Sequence, residues 1–387
     1  MPKLPLRIFD RYIWGQIATS TLTGVLVLTG VMVLGNVFKE MERLLGDTSA
    51  LPIIAVFQFI LYVIPYSLIF TVPWALLSAI LLVFGRMSAD NEMTALRMTG
   101  MSMPRICAPV FILAVLMSGV CYWVNIDLAP LAKTKIKRLF YDLAMDDPAV
   151  LFQEGKVLDK FPGYRIFTRE RKEKDLKDVE LIQTSGGRAD RYIRAERAEV
   201  EVTPGVTDFI LRLHTAHIET GGGQAEKQAT GDAEMINDLQ FMDLKETAIS
   251  FPLSQLKAKT ERVTNSMKDT EALWQEVKTG LSSVNGTPLD KKLISASRTE
   301  LSMRYSFSLA AIVFTFVGIP LGITAQRRET SIGFALSLIV AVSYIFFIIL
   351  ANTLNERPSV YPHLLMWLPN VIFLAVGGRL FLKLCRT

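Results

Sequence analysis

The chain is poor in the residue patterns that soluble catalysts use. Across 387 residues it has three histidines and three cysteines. It contains no GxxxxGK[ST] loop, so it carries no phosphate cradle of its own. HExxH, paired-cysteine zinc spacing and GxSxG are also absent, which removes the usual metalloprotease, zinc-module and hydrolase signatures. The one close histidine pair is His214 and His217. Residues three apart in a regular strand point to opposite faces, which argues against shared metal binding. Neither a metal nor a cofactor is expected, and the chain does not read as an enzyme. Charged residues make up 20% of it, less than the roughly 25% of a soluble domain. No series of carboxylates runs through its apolar segments. Asp10 and Asp127 sit at segment ends, so the buried ionisable groups of a proton-coupled carrier are missing. Cys107 and Cys121 are 14 residues apart in one apolar run, about 21 Å along a helix, too far for a disulfide. Together with Cys385 they read as small packing residues.

What the chain has is hydrophobic length. Half of it is hydrophobic, and the apolar residues gather near 16–38, 52–85, 104–126, 305–325, 331–351 and 364–382. Each run is long enough, at about 1.5 Å per residue, to cross roughly 30 Å of hydrocarbon. The pattern predicts a membrane α-helical protein: spans 1–3 in residues 1–126, a soluble insert in 127–304, and spans 4–6 in 305–387. The first run is longer than a signal-peptide core and shows no small-residue cleavage site.

The bases indicate orientation. Lys3, Arg7 and Arg11 precede span 1; Arg86, Arg97 and Arg105 lie between spans 2 and 3; Arg327 and Arg328 lie between spans 4 and 5; Arg379, Lys383 and Arg386 close the chain. With six spans all four groups share one side. The opposite short loops hold Lys39 and Arg43 among Glu40, Glu42 and Asp47, and Arg357 beside Glu356. The positive-inside rule then puts both termini in the cytoplasm and the insert outside, in the periplasm of a double-membrane bacterium, with the spans in its inner membrane. This accounts for the net charge of +5 without nucleic acid as a partner.

Span 2 holds Pro65 and Pro73 and is too long for one straight crossing, which predicts tilt, a kink or an amphipathic lead-in. Pro104 suits the first turn of span 3. Gly318-Ile319-Pro320-Leu321-Gly322 predicts close packing or a distortion in span 4. The insert reads as short strands at 164–168, 179–182, 192–195, 199–202 and 209–213. Pro162-Gly163, Ser185-Gly186-Gly187, Pro204-Gly205 and Gly221-Gly222-Gly223 punctuate them. That is an all-β sandwich or jelly-roll pattern. A helix is predicted over 269–279, then a turn at Asn285-Gly286 and a helix from about Pro288 into span 4. Lys133, Lys135, Lys137 and Arg138 follow span 3, either as a solvated helix face or as an attraction for anionic headgroups.

Between spans 2 and 3, Ser88 reads as an N-cap with Asp90, Asn91 and Glu92 in the first turn, and Gly100 reads as a C-terminal stop. Met93, Leu96 and Met98 add apolar surface. The resulting short amphipathic helix, near 88–100, is either a capped connector or an element that docks into a partner's groove.

This segment resembles the coupling region of the lipopolysaccharide export permease family. The matching residues are Ser88, Glu92 and Thr99-Gly100-Met101-Ser102. Arg11-Tyr12-Ile13 before span 1, Ile319-Pro320-Leu321 in span 4 and the three-plus-three layout around a β insert match as well. The resemblance implies six spans with a periplasmic β-jelly-roll. It implies a transport subunit that pairs with a second six-span chain, related or identical. A dimeric cytoplasmic ABC ATPase would power it, and a bridge of periplasmic jelly-rolls would take the lipopolysaccharide onward. Glu92, with Ser88, Arg97 and Gly100, would couple to the ATPase. The family holds lipid phosphates near the outer end of span 1. Here Asn36 stands in the last membrane turn, with Lys39 and Arg43 beyond it on one helix face; they form either that clamp or a self-neutralised helix end. The rival reading is a non-transporting inner-membrane protein whose periplasmic β domain binds envelope partners. Lipoprotein-release permeases differ in layout, with their insert after span 1.

Overall fold

The computed structural model describes residues 8–44, 53–146, 152, 154–159, 161, 163–172, 175–185, 188–202, 208–220, 240–252, 263–324 and 330–386. Lys3, Arg7, Arg327, Arg328, Asp47 and the turn signals at 186–187, 204–205 and 221–223 lie outside the described residues. The chain divides into two compact units: Met1–Gly35 with Ile60–Lys135 and Val263–Thr387, and Asn36–Phe59 with Ile136–Arg262.

The protein is mostly helical. Its long helices are α1 (Ile8–Leu44), α2 (Ile53–Ala89), α4 (Met103–Trp123) and α5 (Ala129–Asp146), with the short α3 (Glu92–Met98) before α4. Further on come α6 (Thr270–Thr279), α7 (Lys291–Ser308), α8 (Ala310–Thr324), α9 (Thr330–Thr353), α10 (Pro362–Leu365) and α11 (Leu368–Arg386). Five described stretches are long and apolar enough to cross a membrane: Ile8–Lys39, Ile53–Ala89, Met103–Leu143, Ala335–Thr353 and Pro362–Arg386. Helices α7 and α8 pass the same test together across a 43° bend, which makes the count five, or six with that pair as one span.

The bend has a local cause. The Ser308 hydroxyl bonds back to the Arg304 carbonyl at 2.7 Å, and such back-bonding bends helices. Leu309 closes the turn on Ser306. Gly318 and Gly322 do not break α8, which runs on through Pro320. A Cβ at Gly318 would sit 3.1 Å from Leu77 and Ile80, and one at Gly322 3.1 Å from Phe84. These glycines let α8 approach α2, as small residues do where membrane helices pack. Helix α2 likewise continues through Pro65 and Pro73. The third span overshoots the expected boundary at 126: a π-helical turn, Val124–Leu128, joins α4 to α5. Lys133 therefore lies over the Tyr66 ring at 4.9 Å, and Lys135 over Tyr62 at 5.5 Å. These two cations rest on aromatic faces of α2.

In the second unit, β1 (Val157–Leu158), β2 (Tyr164–Lys172), β3 (Asp175–Ser185), β4 (Arg188–Val202), β5 (Asp208–Thr220) and β6 (Gln240–Pro252) form one antiparallel sheet in chain order. The expectation was a jelly-roll; a Greek-key crossover is not among the connections of the described strands. The strands expected at 192–195 and 199–202 are one continuous β4. Strand β6 went unexpected.

A crease crosses the sheet. Partners pair on both sides of it, with one register shift between Gln183 and Thr184 of β3, but Arg169, Asp178, Glu196, Thr215 and Lys245, which would face one another across β2–β6, have no partner in the ladder. Asp178 and Thr215 have φ of 48° and 53°. Two of the five thus leave extended geometry, and the buried side steps by three instead of two: Thr168 to Arg171, Leu176 to Val179, Ala195 to Ala198, Leu213 to Ala216. The inner side buries Phe152, Phe161, Phe209 and Phe251 with Leu181 and Leu211. The crease also corrects the reading of His214 and His217. With Leu213 and Ala216 both inside, the two histidines share the outer side. Each meets its own carboxylate: Glu199 lies 3.9 Å from His214, and Asp243 lies 2.5 Å from His217.

Candidate functional site

The segment between α2 and α4 is built from two left-handed residues. After α2, Asn91 adopts φ 58°, a region that asparagine enters more readily than most residues. The chain reverses there, and α3 begins at Glu92, whose carboxylate sits at the positive end of the helix dipole. Gly100, at φ 82°, ends the helix, and its N–H bonds to the Arg97 carbonyl at 2.9 Å. This is the glycine stop that the sequence predicted. Ser102 is extended, and Pro104 falls in the first turn of α4.

Ser88 requires a correction. It is not the N-cap of α3; it lies in the last turn of α2, and its hydroxyl donates to the Ile323 carbonyl of α8 at 2.9 Å. Helix α2 extends through Ala89 because the reversal waits for Asn91, so α3 is shorter than the predicted 88–100.

The faces of α3 are unequal. Met93 is buried among Ile13, Met87, Met103 and Ile106, and Leu96 packs against the same cluster. Arg97 and Met98 are exposed, Met98 by 85%. Glu92 is half-buried, and the Tyr12 hydroxyl donates to its carboxylate at 3.4 Å. A recess of about 290 Å³ lies here, lined by Phe9, Tyr12, Met87, Glu92, Ala95 and Leu96 among others. Three contacts tie this region together. Arg105 pairs with Asp10 at 2.6 Å, with the Asp10 side chain 8% exposed. Arg86 donates to Gln16 at 2.6 Å. Ser88 holds α8. The first two turns of α1 are therefore part of the site. In the sequence Tyr12 is only part of a motif and Asp10 shows no partner; an acid and an aromatic at the edge of an apolar run are the signal available there.

The second candidate group stays apart from these residues in sequence. Asn36 is half-buried and Lys39 exposed on α1. Arg43 lies within α1, with its side chain outside the described residues, as are those of Glu40 and Glu42. Among the described residues no cluster of His, Cys, Asp or Glu could hold a metal ion.

Beside α7 lies a buried ionic cluster that the sequence did not signal. Glu276 of α6 is completely buried. It accepts from Lys268 through both oxygens at 2.7 and 2.9 Å, from the Ser283 N–H and hydroxyl at 3.0 and 2.8 Å, and from Ser297 at 2.9 Å. Burial alone would raise its pKa; these donors outweigh it and hold the carboxyl below its usual range. Arg304 completes the cluster, donating to Thr270 and to the Asn265 and Lys268 carbonyls.

A family model described as "Lipopolysaccharide export system permease LptF/LptG" matches residues 11–383, nearly the whole chain. Comparison with curated proteins finds no match.

Proposed function

Because the chain belongs to the LptF/LptG family of lipopolysaccharide export system permeases, we propose that it is a permease subunit of an ABC transporter that extracts lipopolysaccharide from the inner membrane. The observation that carries this reading is α3: a two-turn helix whose apolar side is seated among α1, α2 and α4 while Arg97 and Met98 point outward. A cytoplasmic ABC ATPase dimer would dock there, with Glu92 and Arg97 at the contact. Ser88 and Gly100 would act as positioning residues, one anchoring α2 to α8 and the other ending the docking helix. A push on α3 would reach α2 and α4 directly and α1 through Tyr12 and Asp10.

In this reading six spans, counting the bent α7–α8 pair as one, put both termini in the cytoplasm and the β unit in the periplasm. Helix α1 exposes Leu22, Leu26, Val27, Val31 and Leu34, apolar surface suited to lipid and to a second six-span subunit. Asn36, Lys39 and Arg43 would meet lipid phosphates near its outer end. The creased sheet would be the family's jelly-roll module, receiving acyl chains on its inner side and passing them to a bridge of similar domains. Each acyl methylene lifted from the bilayer costs about 0.8 kcal/mol, so the work needs ATP hydrolysis in the partner chain.

The test is purification of the tagged chain from its native membrane in mild detergent, beside Glu92→Lys. Co-purification of an ABC ATPase and a second six-span chain, with the ATPase lost from the variant, is expected. A wild-type chain that carries no ATPase under conditions preserving membrane complexes would refute the motor-driven reading.

A further inference from the structure

The end of α11 carries a feature that the export reading leaves unused. Its two sides differ sharply. Gly377 and Phe381 pack inward: a Cβ at Gly377 would lie 2.8 Å from the Phe316 backbone, and the Phe381 ring is 5.6 Å from Phe111 and 6.2 Å from Phe316. Leu384 and Cys385 pack beside them. The other side presents Arg379, Leu382, Lys383 and Arg386, all exposed, and these four line a shallow recess of about 390 Å³. Residues 379, 383 and 386 recur at helical spacing, so three cations stand in one row about 10 Å long.

Orientation requires only that bases lie near this membrane surface; it does not require them in one row around a recess with a leucine between them. Two guanidinium groups offer paired donors that match phosphate oxygens. Leu382 adds an exposed apolar contact between the cations. We propose that this recess binds the phosphodiester headgroup of an anionic glycerophospholipid, best one carrying two phosphates, from the leaflet at the chain's C-terminal end. The row is long enough to meet two phosphates of one headgroup. The lipid is a resident of that leaflet and is separate from the exported cargo, so the site stands whether or not the chain exports lipopolysaccharide.

The test measures binding to the full chain, purified with its native partners, by native mass spectrometry against added lipids. A two-phosphate lipid (cardiolipin) should bind more tightly than phosphatidylglycerol, and phosphatidylcholine least. Arg379→Gln/Lys383→Gln/Arg386→Gln should weaken the first by roughly 100-fold, at about five-fold per cation. Lys291→Gln/Lys292→Gln on α7 should leave it unchanged. Should the triple variant fail to insert, Arg386→Gln alone, in the last turn, retains two bases and should weaken binding about five-fold. Unchanged lipid binding in these variants overturns the proposal. Pyrophosphate competing as well as the lipid would overturn the lipid assignment in favour of a soluble anion.

Discussion

Replacing Glu276 with Gln should loosen α6 and the turn that follows it. The change keeps the shape of the side chain but removes the charge that faces Lys268, whose own side chain is 10% exposed. Removing one partner of a buried ion pair costs about 3–5 kcal/mol, because the remaining charge stays buried without compensation. Amide hydrogen exchange across 270–289 in the full chain should therefore quicken by about 150- to 5,000-fold where opening is local. Adding Lys268→Met should recover most of the loss. The neutral amide still accepts the Ser283 N–H, and no bare charge remains. The pH dependence has a definite sign. The folded carboxyl titrates below its usual 4.5, so its contribution is complete above that value and is lost as pH falls through the depressed folded pKa. Wild-type protection should fall on acidification below about 4.5, and the Gln variant should lack that step. Unchanged exchange in Glu276→Gln, or a double variant looser than the single, would refute the argument.

Two further perturbations probe packing and backbone. Gly377→Leu would drive a side chain into the Phe316 backbone at 2.8 Å and should cost about 1–3 kcal/mol, exposing the buried Cys107 and Cys121 to a thiol dye at lower temperature. Gly378→Leu meets nothing within 4 Å and is the control. Thr215→Gly relieves a left-handed threonine, a strain of about 1–2 kcal/mol, against about 0.5–1 kcal/mol lost to glycine's flexibility. Slower exchange of the β4 and β5 amides is the expected result, and faster exchange would show that the crease is not strained there.

Periodicity and local chemistry made much of the fold legible. The described parts of the apolar runs fall on helices, with a bend inside 305–325 and a break inside 364–382, because a bilayer demands about twenty apolar residues in a self-satisfied backbone. Pro104, Gly100 and the Asn285-Gly286 turn act as expected because helix starts, glycine stops and left-handed turns are decided by one or two residues; Gly286 has φ 64°, and the helix expected over 269–279 is α6. Of the candidate site, Glu92 and Gly100 could be placed from sequence. Ser88 was misassigned because a serine before an acidic turn looks the same whether its hydroxyl caps the next helix or bonds to a carbonyl of a distant one.

Long-range contacts decided the rest. The crease shifts the alternation by one residue in each of β2–β6, so a two-residue period cannot be read through the whole of any of these strands. The same slip put His214 and His217 on one side. The pairing of Tyr12 with Glu92, 80 positions apart, of Asp10 with Arg105, and of Glu276 with Lys268 and Ser297 depends on which helices become neighbours. By itself the sequence determined a membrane chain with an inserted β unit and a short helix between two spans, since hydrophobic length and turn chemistry act locally. Only the tertiary structure decided which charges are buried, where the sheet folds, and that the start of α1 shares the site of α3, because burial and pairing are properties of elements that meet in space.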